Sequence, residues 1–253
     1  MNSVRPLGQA WAILSHVPLR KEPSDRSECV NEVLGGETVQ ELELGNGDWV
    51  RVELPDGYQG WMDRRQLRPV TSLWSGHPLR VSTMHSSWEG VAGGWLPAGC
   101  VVRELNGTWF LGEDKVKPLG NPPMRHESDM TAWAESMLGV PYHWGGRCGW
   151  GYDCSGLVFL AAALVGIQVP RDASEQFEVG TEVSLESIRR DDVAFFHNAQ
   201  GAITHVGLCD GTGHVIHASG QVRRDRLNGT ALMRVSGGEI THNLAGIRRW
   251  TAG

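Results

Sequence analysis

Tyr152-Asp153-Cys154-Ser155-Gly156, followed at once by Leu157-Val158-Phe159-Leu160-Ala161-Ala162-Ala163-Leu164-Val165, is the stretch from which the rest of the 253-residue chain reads. The run is apolar on every face and stops at Gly166, so it predicts a buried helix from Cys154 to Val165. A cysteine at the first position of that helix meets unpaired backbone N–H groups and the positive end of the macrodipole, and both favour a thiolate. Cys154 therefore reads as a nucleophile, against the commoner fate of a free cysteine as a small buried hydrophobe.

Two histidines downstream favour the nucleophile. His205 lies in Ile203-Thr204-His205-Val206-Gly207-Leu208 and His217 in His214-Val215-Ile216-His217-Ala218. Both runs are rich in branched residues, and Asp210-Gly211-Thr212-Gly213 between them is a turn signal, so they predict a hairpin. In the order Cys154, His205, His217, the first ring can take the thiol proton and return it to a leaving amine. The second can hold the first ring's orientation and tautomer. One cysteine and two histidines are also zinc ligands, but no fourth ligand follows at a customary spacing, so no metal or other cofactor is expected. His197 is a spare orienting group, and Cys148 and Cys209 read as inert because neither begins a helix.

With these pieces in place, the chain resembles the NlpC-type cell-wall cysteine peptidases, a papain-like family. The resemblance is carried by Tyr142-His143-Trp144-Gly145-Gly146, Asp153-Cys154-Ser155-Gly156-Leu157, Pro170-Arg171-Asp172-Ala173, Asp191 to Phe196, Thr204-His205-Val206-Gly207 and Ile216-His217-Ala218, in family order. It implies Cys154, His205 and His217 as the catalytic residues. Donors to the oxyanion would be the Cys154 backbone N–H and the Tyr142 hydroxyl. It also implies a cell-wall peptide substrate, cut between a γ-linked D-glutamate and a diamino acid, with a free N-terminal L-alanine. Asp172 would pair with that α-amine, while Tyr142, Asp153 and Ser155 would contact the D-glutamyl portion and Arg171 would stand beside them. Asp153 reads equally as a helix N-cap, and Arg171 as a partner of Asp172. Ala173 stands where many relatives carry serine, which removes one hydrogen bond to substrate. Whether the diamino acid is lysine or diaminopimelate is left open.

Ahead of this region lies an internal repeat. Pro18-Leu19-Arg20 recurs as Pro78-Leu79-Arg80, Gly36 to Leu42 resembles Gly99 to Leu105, and Gly47-Asp48-Trp49-Val50 resembles Gly107-Thr108-Trp109-Phe110. Gly57-Tyr58-Gln59-Gly60-Trp61-Met62 resembles the last strands of bacterial SH3-like barrels. The expected architecture is multidomain: a first SH3-like barrel over residues 1–69, a second, divergent one over 70–120, and an α+β papain-like peptidase domain over 121–253. Pro118 to Pro123 reads as the linker, and Ser128 as the cap of a helix carrying Met130, Trp133, Ala134, Met137 and Leu138. Trp61, Trp74, Trp88 and Trp95 read as packing residues. By resemblance, Tyr58 and one of Glu28, Glu32 or Glu37 would reach the amine end of the pocket.

A net charge of −6 argues against a nucleic-acid partner. No apolar run reaches membrane-spanning length, the first residues lack a basic stretch leading into an apolar core, and five cysteines form no even framework. These features predict a cytoplasmic protein, and together with the resemblance they imply one that recycles wall peptides. The rival readings are a secreted hydrolase of intact wall and a non-catalytic muropeptide-binding protein.

Overall fold

Short alternating runs broken by glycine and proline turns fold the described residues of the N-terminal half into strands and single 3₁₀ turns. In a computed structural model that describes residues 7–121 and 129–251, the chain divides into two units, Met1–Arg125 and His126–Gly253.

The first unit holds two antiparallel sheets. One has seven strands in the order Cys29–Leu34, His16–Arg20, Gln59–Asp63, Trp49–Glu53, Thr38–Leu44, Gly8–Ala12, Leu67–Pro69. Its inward positions Ala10, Val17, Leu19, Val33, Val39, Val50, Val52 and Met62 form one core, with Tyr58 packed at its margin. The other has six, in the order Trp95–Pro97, His85–Glu89, Asp114–Pro118, Thr108–Leu111, Val101–Leu105, His77–Arg80. The repeat is real in sequence but not in topology at one point. Pro18-Leu19-Arg20 lies between Cys29–Leu34 and Gln59–Asp63, whereas Pro78-Leu79-Arg80 pairs with Val101–Leu105 at the sheet's edge. An outermost strand is where a proline without an N–H is tolerated. The tryptophans pack: Trp88 is buried against the edge of Trp109, and Trp74 meets Trp11 edge-on and carries the Arg103 guanidinium over its face.

In the second unit, helices come first. Asp129 caps the helix Met130–Glu135 through the Ala132 N–H; Ser128, the expected cap, lies outside the described residues. The helix ends before Met137 and Leu138, so Met137 is buried from a turn and Leu138 is exposed. The helix Cys154–Leu164 has almost every side chain buried and packs on the strands Ile203–Cys209 and His214–Ser219. Gly166 follows in the left-handed conformation that ends it (φ +85°). Thr181–Glu182, Ile240–Arg249, Val193–His197, Ile203–Cys209, His214–Ser219, Gln221–Asn228 and Ala231–Met233 form one antiparallel sheet.

That sheet closes on itself, which the expected plain run of strands did not contain. The ten-residue strand Ile240–Arg249 pairs with Val193–His197 on one side and Ala231–Met233 on the other. Bulges at Phe195/Phe196 and Leu232/Met233 supply the extra bend. Closure leaves the strands bearing His205 and His217 rigidly paired beneath the Cys154 helix.

Candidate active site

The site begins with a tight approach of two backbones. Gly156 lies in the first turn of the Cys154 helix, and a Cβ there would overlap the Gly146 carbonyl oxygen. The loop Tyr142–Gly146 can therefore lie flat on the helix start. Asp153 fixes both. Its Oδ1 accepts the Gly156 N–H at 2.6 Å as the helix N-cap, and its Oδ2 accepts the Gly145 N–H at 2.9 Å. Arg171 closes the arrangement, donating to both Asp153 oxygens at 3.0 and 2.6 Å and to Ser155 Oγ at 2.8 Å. Both side chains are almost fully buried, so this is a paired charge inside the fold rather than a surface ion pair. Gln176, in the short helix Ala173–Gln176, donates to the Ser155 and Pro170 carbonyls.

Cys154, the first residue of its helix, is 7% exposed. Its thiol is pushed up to about 12 by burial first and then by the Asp153 charge. The N–H groups of Val206 and Ser155, and the Arg171 charge, pull the other way. Tyr142 is half-buried, and its hydroxyl is pushed up to about 12 by burial and then by the Cys154 and Asp153 charges.

The His205 ring is 6% exposed and bonded through Nε2 to His217 Nδ1 at 2.8 Å, the two rings standing edge to face. His217 in turn contacts Asp225 Oδ2 through Nε2 at 3.1 Å, and Arg223 pairs with the same oxygen at 2.8 Å. The register explains this row. His217 lies opposite Arg223 and Val215 opposite Asp225, so Asp225 reaches diagonally across one face of the ladder. His205 also carries His242, stacked at 4.0 Å between ring centroids and 14° between planes. Burial lowers the pKa of all three histidines. His205 falls well below its ordinary value, His217 is lowered despite Asp225, and His242 falls to about 4. Burial thus favours the neutral form of each ring.

The sequence-predicted residues fall into three places. Cys154, Tyr142, Asp153, Ser155, Arg171, His205 and His217 lie in the second unit around the Cys154 helix and the paired histidine strands. Asp172 is exposed at the start of the short helix Ala173–Gln176. Tyr58 belongs to the first unit, where its hydroxyl donates to the Val30 carbonyl at 3.3 Å; there the Glu37 carboxylate takes the Leu34 N–H and Arg80. His197 contacts the Asn198 carbonyl through Nδ1, and the place behind His205 is taken by His217. Asp225 and His242 were not foreseen. Asp225 could have been found from its even spacing to Arg223 in a strand facing His217; His242, in Ile240-Thr241-His242-Asn243, carries no sequence signal. Among the described residues, no three His, Cys, Asp or Glu side chains group as metal ligands.

Residues 139–236 match the model of the NlpC/P60 family, and residues 19–67 match that of the bacterial dipeptidyl-peptidase Sh3 domain. The chain is 29% identical over 211 residues to a gamma-D-glutamyl-L-lysine dipeptidyl-peptidase of Bacillus subtilis (strain 168), covering 74% of this chain and 71% of that protein. It is 25% identical over 240 residues to dipeptidyl-peptidase 6 of Lysinibacillus sphaericus, covering 79% and 84%. Its fold is that of a crystal structure of an NlpC/P60 family protein from Bacillus cereus, with a TM-score of 0.77 at 21% identity, covering 96% of this chain and 99% of that one.

Proposed function

The chain carries an NlpC/P60-family cysteine-peptidase domain preceded by an SH3-like domain, and from that premise we propose that it hydrolyses the γ-D-glutamyl-L-diamino acid bond of peptidoglycan-derived peptides with a free N-terminal L-alanine. The observation that carries this reading is the packing of a helix that begins at Cys154 on the strands of His205 and His217, two histidines hydrogen-bonded to each other. The similarity to gamma-D-glutamyl-L-lysine dipeptidyl-peptidase supports the choice of bond.

Burial penalises a lone thiolate and a lone imidazolium alike, so the two charges arise together. As Cys154 Sγ attacks the carbonyl carbon, its proton passes to His205 Nδ1, the nitrogen that His217 does not hold. The oxyanion is met by the Cys154 backbone N–H and the Tyr142 hydroxyl, which burial keeps protonated. The C–N bond breaks as His205 returns the proton to the leaving amine, leaving a thioester on Cys154. Water then attacks, His205 takes its proton, and the sulfur leaves and is reprotonated. His217 holds the His205 ring throughout.

Asp153, Ser155 and Arg171 form the floor under the D-glutamyl portion, and Asp172 pairs with the α-amine. Residues 70–120 are read as a second, divergent module, and the chain as a cytoplasmic enzyme of wall-peptide recycling. No helix among the described residues is long and apolar enough to cross a membrane. The test is incubation of the full chain with L-Ala-γ-D-Glu-L-Lys, its diaminopimelate analogue and N-acetylated copies, followed by mass spectrometry. The free peptides yield L-Ala-D-Glu and the diamino acid, and the acetylated ones lag. Equal cleavage of free and acetylated peptides would refute the free-amine requirement, and cleavage of none would refute the substrate.

A further inference from the structure

Two imidazoles that share a single hydrogen bond leave their protons undecided. If the proton between His205 Nε2 and His217 Nδ1 belongs to His217, neutral His205 carries its own proton on Nδ1 and cannot accept one from a thiol. If it belongs to His205, Nδ1 is bare and ready. The 2.8 Å separation is the same in both cases, so something beyond the pair must choose.

Asp225 makes the choice. An ionised carboxylate only accepts, so the His217 nitrogen at 3.1 Å from it must carry the hydrogen. Neutral His217 then has a bare Nδ1, His205 must donate through Nε2, and His205 Nδ1 is left as a base. We infer that Asp225 is a positioning residue that sets the tautomers of both rings, making the site a directed row Cys154–His205–His217–Asp225. This inference rests on the reading of Cys154 and His205 as nucleophile and base. The carboxyl is built to stay ionised: burial pushes it up, but the His217 ring, the Val235 N–H and Arg223 outweigh burial and hold it below its ordinary value. The groups facing His217 are His205 from its own hairpin, His242 from the strand Ile240–Arg249, and Asp225 and Arg223 from the strand Gln221–Asn228. Arg223 disfavours a second proton on His217 while Asp225 fixes where the first one sits, so the ring relays orientation without taking charge.

The experiment reads protons directly. Nitrogen-15 NMR of the labelled full chain is expected to show His205 and His217 both as Nε2–H tautomers. In D225N and D225A, His217 shifts to a mixture of tautomers, and kcat falls by about 10- to 100-fold with KM held within about twofold. Cys154 alkylation by iodoacetamide slows in parallel, whereas D225E restores part of both. His217 as the Nδ1–H tautomer in the wild type would overturn the inference without any variant, even if the substitutions prevent folding. Unchanged tautomers and kcat in a folded D225N would overturn it too. A wild type that cleaves no wall peptide but shows both Nε2–H tautomers, with Cys154 alkylation dependent on Asp225, would sink the substrate reading and leave this one standing.

Discussion

Arg171→Met removes the guanidinium that donates to both oxygens of Asp153 and to Ser155 Oγ, and the consequence can be worked out before any experiment. Asp153 keeps the Gly145 and Gly156 N–H groups but becomes a buried carboxylate without a counter-charge. Removing one partner of a buried pair costs about 3–5 kcal/mol; with two backbone donors retained, the low end, about 3 kcal/mol, is expected here. For a unit of this size that is a fall of about 10–15 °C in Tm. The change reaches the nucleophile as well. Asp153 raises the Cys154 thiol and Arg171 lowers it, so losing Arg171 leaves the Asp153 charge unopposed and slows alkylation of Cys154. Thermal melts followed by circular dichroism, with iodoacetamide labelling mapped by mass spectrometry, read both effects. The double variant with Asp153→Asn is expected to recover part of the stability and of the alkylation rate, since it leaves no lone charge. A folded R171M that loses less than about 0.5 kcal/mol, within the range of a surface substitution, and labels at the wild-type rate would show that the pair is not what holds the helix start.

Other consequences are open to test. His242→Ala should lower kcat by about 10-fold by freeing the His205 ring, and His242→Phe, which keeps a stacked face, should restore most of it; equal losses in both would mean that stacking is irrelevant. Because burial lowers His205, the acid limb of kcat/KM should have its midpoint below the ordinary 6.5, and a midpoint at or above that value would contradict the buried ring. The same shifts act on stability. An unfolded chain takes up protons on these rings near 6.5 while the folded one resists, so the contribution is complete above 6.5 and is lost as the pH falls toward about 4. A Tm flat across that window would refute it. Gly156→Ala meets the Gly146 carbonyl, a backbone atom that has no rotamer to yield, and should cost about 2 kcal/mol or more with loss of peptidase activity; a wild-type melt would show that the loop and helix are not in contact.

The helix start at Cys154 was legible because the local signals agree. An acidic cap and an unbroken apolar run point to one helix start, and the two histidine runs are rich in the branched residues that strands favour. Sheet closure was not legible, since it depends on one long strand pairing at both ends, and the bulges that allow it leave no mark in Ile240 to Arg249. The likeness of Pro18-Leu19-Arg20 to Pro78-Leu79-Arg80 is genuine, yet strand neighbours are set by long-range pairing that a three-residue match does not encode. Asp225 and His242 escaped notice for the same reason: each reaches the site from a strand whose register is decided by the closed sheet.

The most direct test of the account is a rapid quench of the full chain with L-Ala-γ-D-Glu-L-Lys, followed by mapping of the modified peptides. The account predicts an L-Ala-D-Glu thioester on Cys154, formed slowly in H205A and absent in C154A. Cleavage at an undiminished rate in C154A, or an acyl group on any other residue, would contradict it.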